Sequence, residues 1–164
     1  MAQAMTGGAA ASEHLQEYLT FSLGAEDYGI DILNVQEIRG YEAVTRIAGA
    51  PPYIKGVINL RGAIVPILDL RIKLATARVE YDAFTVVIIV NVGSRIAGVV
   101  VDSVSDVIRI GAADVRPAPE FAAGVGAHYV AGLACHDDRT IILADIEKLL
   151  AASGMHLADE PLAA

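Results

Sequence analysis

The chain has 164 residues, 54% of them apolar, and a formal net charge of -8. That is enough apolar material for a buried core without covalent staples. The negative charge, together with only three Phe, six Tyr and no Trp, argues against nucleic acid as a partner. A single cysteine, Cys135, excludes an internal disulfide framework and fits a reducing cytoplasm; no CxxC or HExxH spacing offers a metal site.

Residues 1–14, "MAQAMTGGAAASEH", are small and polar without hydrophobic periodicity and read as a disordered leader. No lysine or arginine precedes Arg39, so the basic start of a secretory signal is missing. The longest strongly apolar run, Val86–Val90, is far too short to span a bilayer, so no insertion in a membrane is expected.

From Glu17 the pattern turns to strands. In "EYLTFSL", Leu19, Phe21 and Leu23 alternate with Tyr18, Thr20 and Ser22; "GAED" reads as a turn, and "YGIDI" as a second strand. "NLRG" reads as a hairpin turn in which Asn59 opens a type I turn, Gly62 takes the left-handed position, and Leu60 and Arg61 occupy the tip. In the returning strand "GAIVPILDL", Pro66 lacks a backbone donor and argues for an edge or a bulge. "TVVIIVNV" is β-branched nearly throughout and reads as a strand buried on both faces, turned back by "GSR" into "IAGVVV". Only "DIEKLLAAS" reads as a clear helix, with Asp145 as N-cap, Ile146, Leu149 and Leu150 on one side and Gly154 past the end; residues 153–164 are read as a flexible tail.

The chain contains an internal repeat. At an offset of 69, Gly29 falls on Gly98, Ile30 on Val99, Ile32 on Val101, Val35 on Val104, Glu37 on Asp106 and Ile38 on Val107. At an offset of 76, Gly56 falls on Gly132, Val57 on Leu133, Val65 on Ile141, Asp69 on Asp145 and Leu70 on Ile146; the seven extra residues suit the Pro-containing "RPAPEFAAG" segment. Two copies rich in short strands and Gly turns predict a mainly all-β fold of two small β-barrels. Where Arg61 stands in the first copy, Asp137 stands in the second. An asymmetry at one turn of a repeated scaffold points to a task done by one barrel.

Charge is unevenly spread. Residues 1–38 carry six acids and no base, whereas residues 39–78 carry seven bases against two acids, a net of +5. Solvated surface accounts for most such residues; a basic face for an acidic protein partner is the sharper reading.

The segments "EDYGIDILNVQEIRGYEAVTRI", "PPYIKGVINLRGAIVPILDLRIK", "GVVVDSVSDV", "VRPAPEF" and "DIEKLL" resemble the CheW family of bacterial chemotaxis coupling proteins, in order and with similar spacing from about Glu17 to Leu150. The resemblance implies two five-stranded SH3-like barrels on a shared hydrophobic core, with short helices including a C-terminal one. One domain over residues 15–152 is then expected, its subdomains at about 15–20 with 85–152 and at 21–84, exchange of strands between them left open. It implies no enzymatic activity, no cofactor, and a cytoplasmic adaptor that couples the hairpin tip of chemoreceptors to the regulatory domain of the histidine kinase CheA and is recruited to membrane receptor arrays. The receptor site would comprise Arg61 of the NLRG motif, an apolar floor of Val35, Val86 and Val107, Glu37 for polar contact and Gly56 for close approach. The kinase contact would comprise Ile38, Gly40 and Tyr41.

Other classes have weaker support. Ser94 or Ser103 with His14, His128, His136 or His156 could serve an enzyme such as a small hydrolase, but no GxSxG, P-loop or paired carboxylates order them. "CHDD", Cys135–Asp138, could bind a metal weakly, yet it aligns with the NLRG turn and reads as a solvated hairpin tip. A CheW-like regulatory module or a paralogue serving another chemosensory-type kinase pathway is the remaining alternative, and the chain length favours a free-standing adaptor.

Overall fold

Runs of alternating and β-branched residues give eleven strands in the computed structural model, which describes residues 15–42, 44–73, 81–117 and 130–152. They are β1 (Leu15–Leu23), β2 (Glu26–Asp31), β3 (Val35–Gly40), β4 (Ile54–Leu60), β5 (Ala63–Asp69), β6 (Val86–Val92), β7 (Arg95–Val101), β8 (Ser103–Gly111), β9 (Val115–Arg116), β10 (Val130–His136) and β11 (Arg139–Ala144). One short α-helix follows the last strand of each repeat, α1 (Leu70–Lys73) in the first and α2 (Ile146–Ala152) in the second. The expected leader, the tail with Gly154, and most of the inserted "RPAPEFAAG" segment lie outside the described residues. Among the described residues no helix is long and apolar enough to cross a membrane.

The strands form two sheets, a six-stranded one in the order β8-β1-β2-β11-β10-β9 and a five-stranded one in the order β3-β6-β7-β5-β4. Each curls into an SH3-like barrel. The sheets do not divide the chain at the bounds expected from sequence: β2 joins β1 in the first sheet, and β6 and β7 join the second. The two copies exchange their first hairpins. β1–β2 of the first copy completes the barrel of the second, and β6–β7 completes that of the first. Burial fits the exchange. β6 carries apolar residues on both faces, and β1 seals the contact between barrels with Leu19, Phe21 and Leu23 while it turns Tyr18 and the buried Thr20 toward its own barrel.

Register confirms the repeat at single-residue level. Gly29 pairs in parallel with Leu143, and Gly98 pairs in parallel with Ile67, which stands 76 residues before Leu143. A Cβ on Gly98 would lie 2.6 Å from Ile67 Cδ1, and one on Gly29 would lie 3.3 Å from Leu143 Cδ2. At both places the absent side chain leaves room for a large interior residue of the neighbouring strand.

Three clusters make the core. Leu19, Phe21 and Leu23 of β1 pack between the barrels with Ile88 and Val90 of β6, Val99 and Val101 of β7, and Ile146, Leu149 and Leu150 of α2. Val87, Ile89 and Val100 point the other way, into one barrel with Val65 and Ile67; Ile108, Ile110, Ile141 and Leu143 fill the other. Each fully buried branched side chain contributes about 1.5–3 kcal/mol. Helix α2 starts as expected, with the Asp145 carboxylate accepting from Lys148 N at 3.1 Å.

Two local expectations change. Leu60 is the last residue of β4, paired with Ala63 and buried, so the hairpin tip is Arg61–Gly62 rather than Leu60–Arg61. Positive φ at both positions makes a turn that follows the strand twist, whereas a type I turn would splay the strands. Pro66 lies on an interior strand, not an edge. It precedes the β5–β7 ladder, which runs from Ile67 to Asp69, while the register shift falls on β4 between Ile54 and Gly56.

Candidate functional site

The β4–β5 turn places Arg61 at φ 50° and Gly62 at φ 92°. Asn59 fixes it by accepting from Gly62 N through its side-chain oxygen at 2.8 Å. A non-glycine residue in the left-handed region is strained, and here the strain presents a guanidinium beyond the end of the strands.

Alternation along β3 turns Glu37 and Arg39 to one side and Ile38 to the other. Arg61 Nη2 reaches across to Glu37 Oε1 at 2.5 Å, Arg39 Nη1 holds Glu37 Oε2 at 3.2 Å, and Arg39 Nη2 holds Glu42 Oε2 at 2.6 Å. The hydrogen bond from Arg61, and then that from Arg39, keep the Glu37 carboxyl below its ordinary range against the opposing effect of desolvation. Solvent screening keeps the contribution of such pairs to stability small; their consequence is orientation. The Arg61 side chain is held at one end, yet remains 64% exposed.

Ile38 is 43% exposed and stands opposite Ile88, on the face that continues into the core between the barrels. Gly40 stands opposite Val86, and a Cβ on Gly40 would meet nothing within 4 Å. Val86 and Val35 pack at the margin of the same core. Tyr41 donates its backbone N–H to Thr85 O at 3.2 Å, and its ring centroid lies 4.5 Å from that of Tyr81.

Arg61 and Glu37 are therefore in contact, and Ile38, Gly40 and Val86 share the opposite face of the sheet. Val107, the repeat equivalent of Ile38, lies on β8 of the other sheet, opposite Leu19 and 49% exposed. Gly56 departs from expectation. It is buried at φ 146°, and a Cβ there would fall 2.1 Å from Thr45 O. The close approach it permits is to the chain's own loop rather than to a partner.

Three features escaped the sequence reading. Arg39 and Glu42 extend the Arg61–Glu37 pair into a row of alternating charge. Phe84 is 72% exposed next to Val86, turned outward by a tight turn in which Asp82 accepts from Phe84 N at 2.8 Å; the Asp-x-x-Thr spacing was its only signal. Arg71 is wholly buried. Its Nε and Nη2 each lie 3.0 Å from the Asp69 carboxylate, Nη1 lies 3.1 Å from Asp102 Oδ1, and the Tyr81 ring covers it at 4.6 Å. Burial opposes its charge, but the bonds to Asp69 and Asp102 outweigh that and raise its pKa. Asp102 also accepts from Gly24 N at 2.7 Å, so Arg71 ties one barrel to the β1–β2 turn of the other. Among the described residues no three His, Cys, Asp or Glu converge on a metal site, and Cys135 is exposed.

Two SH3-like barrels that exchange hairpins and share a core define a double-barrel domain. The family model described as the CheW-like domain matches residues 17–154, and this chain belongs to that family. It is 58% identical over 144 residues to the chemotaxis protein CheW of Klebsiella aerogenes, covering 88% of this chain and 87% of that protein. It is 34% identical to the chemotaxis protein CheW of Rhizobium meliloti, covering 85% and 92% respectively. Among solved structures, the scaffolding protein TtCheW of Thermoanaerobacter tengcongensis superposes with a TM-score of 0.74 at 34% identity, covering 79% of this chain and 88% of that one.

Proposed function

We propose that this chain is a cytoplasmic chemotaxis adaptor. It holds the hairpin tip of chemoreceptors with the face around Arg61 and the regulatory domain of CheA with the face around Ile38, and is recruited to membrane arrays through those partners. One observation carries the reading: Arg61 is strained at its turn and oriented by Glu37, yet two of every three parts of its surface face solvent. A cation ordered in advance loses little entropy on engaging a carboxylate or a carbonyl. Val35, Val86 and Val107 supply an apolar floor for a helical partner. Gly56 supports this site by letting the β4 backbone lie against Thr45. Ile38 and Gly40 form an open patch, with Tyr41 at its end, that borders Val86 of the receptor floor and offers a second protein a seat.

Reconstitution with purified CheA and a chemoreceptor cytoplasmic fragment tests the proposal. CheA autophosphorylation should become receptor-dependent only when this chain is added. Receptor control that is equal with and without the chain would overturn it.

A further inference from the structure

A cavity of about 250 Å³ opens at the start of β4, lined by Tyr41, Arg46, Ile47, Pro51, Pro52 and Lys55. Two cations share it. Among the described residues no carboxylate lies within ion-pair distance of either Arg46 or Lys55. The Lys55 ammonium instead lies 5.4 Å from the centroid of the Tyr81 ring, which leaves its hydrogen-bond donors unspent. Two like charges lining one recess of a chain with net charge -8 are more favourable with an anion bound there than without one.

The recess is preformed. Thr45 and Val57 exchange two backbone hydrogen bonds of 2.9 Å, Ile54 N donates to Pro51 O at 3.0 Å and Ala50 N to Ile47 O at 3.3 Å, so little of the loop has to be ordered on binding. Its volume suits one acidic side chain and is smaller than typical cofactor pockets. The lining is mostly polar, and Ile47, 47% exposed, adds apolar surface with Pro51 and Pro52, as befits a carboxylate carried on a polypeptide. Tyr41 brings it to the kinase side of the molecule. β4 separates it from the Arg61 turn by seven residues, roughly 20 Å of extended strand, so both ends can be occupied together.

We infer that Arg46 and Lys55 form a carboxylate-binding subsite that takes an aspartate or glutamate of the CheA regulatory domain. This rests on the adaptor reading above and adds the electrostatic half of the kinase contact. The full chain, wild type and with Arg46→Ala plus Lys55→Met, is titrated against purified CheA and against a receptor fragment over a series of salt concentrations. The methionine keeps an unbranched stem against Tyr81, so packing is preserved while charge is lost.

The double variant should bind CheA about tenfold more weakly and with a shallower salt dependence, with receptor affinity and melting temperature unchanged. Arg46→Lys should retain most of the affinity. CheA binding equal to wild type in the double variant, with Ile38→Asp still weakening it, would remove the subsite and leave the adaptor standing. Equal losses for both partners with a lowered melting temperature would assign the two cations to the fold and overturn the inference. A wild-type chain that binds no CheA would overturn the adaptor reading and the subsite together.

Discussion

At the tip of the β4–β5 hairpin stands Arg61, at φ 50°; at the tip of β10–β11, 76 residues later, stands Asp137, at φ 52°. Both turns connect their strands through two residues with positive φ, completed by Gly62 in one and Asp138 in the other. The acid that faces the turn is also kept, as Glu37 on β3 and Asp106 on β8. Only its partner differs. Glu37 is held by Arg61, whereas Asp106 accepts from the Thr20 hydroxyl at 2.6 Å and has Arg139 at 3.8 Å. The second barrel thus satisfies its acid from within its own sheet, and the first adds to Arg39 of the same strand a side chain that reaches out of the turn. Backbone requirements are met equally at the two turns, so they do not explain the choice of arginine.

The widest gap between the barrels concerns Arg71, whose repeat equivalent is the exposed Glu147. Arg71→Ala leaves Asp69 buried without its cation and frees Asp102, which should cost about 3–5 kcal/mol. The melting temperature should fall on the order of 10 °C. Glu147→Ala should move stability by less than about 0.5 kcal/mol. Equal melts for the two variants would mean that the barrels are not joined through this network.

Gly56 and Gly132 are the next pair. A Cβ at Gly56 meets the Thr45 carbonyl oxygen at 2.1 Å with φ at 146°, whereas at Gly132 it meets Val115 Cγ1 at 2.7 Å and Arg116 O at 2.9 Å. Both sites meet backbone, but Gly56 meets it much closer and at a positive φ that only glycine adopts without strain. Gly56→Ala should therefore cost about 3 kcal/mol and Gly132→Ala less, as read from urea denaturation.

How much of this was legible in the sequence follows from what each feature depends on. Strands, turns and the repeat are local patterns, and the alignment of Gly29 with Gly98 appears in the observed register. Which copy a hairpin completes is not a local property: β1 and β6 occupy equivalent places in the repeat, and the alternation within each strand does not say which barrel it enters. Arg61 and Glu37 were each singled out, but not as a pair, because 24 residues separate them and only the curl of the sheet brings β3 to the turn. Arg71 carries no mark of burial in the sequence: its near partner Asp69 reads as an ordinary strand-end acid, and Asp102 and the covering Tyr81 are brought to it only by the fold.

Ile38 and Val107 offer a finer contrast, since both are about half exposed at equivalent places on β3 and β8. Ile38→Asp should weaken CheA binding by ~2 kcal/mol, roughly thirtyfold, and leave receptor binding near wild type. Val107→Asp should do the reverse with a smaller loss. Both should melt near wild type, because neither side chain is enclosed. A shared loss of the same partner would show that one face, rather than two, serves both contacts.

The smallest effect is expected at the turn itself. Arg61→Ala removes an exposed side chain and should leave the melting temperature nearly unchanged, while receptor binding falls by roughly tenfold, or ~1.4 kcal/mol, and CheA binding is kept. Arg61→Lys should restore only part, since a point charge lacks the fork that grips a carboxylate or paired carbonyls. Asp137→Ala should change neither partner. Glu37 reports on the same contact from within: with Arg61 present its folded pKa is depressed, so the pair contributes above the ordinary carboxylate range and is lost as pH falls through the lowered value. In Arg61→Ala the Glu37 pKa should rise toward 4.5, because the hydrogen bond that lowers it most is gone and only Arg39 remains. Carboxyl titration by NMR measures this directly. If Glu37 titrates alike in both proteins, Arg61 does not rest on β3 in solution. Any loss of receptor binding would then come from a guanidinium that is ordered only when the receptor arrives.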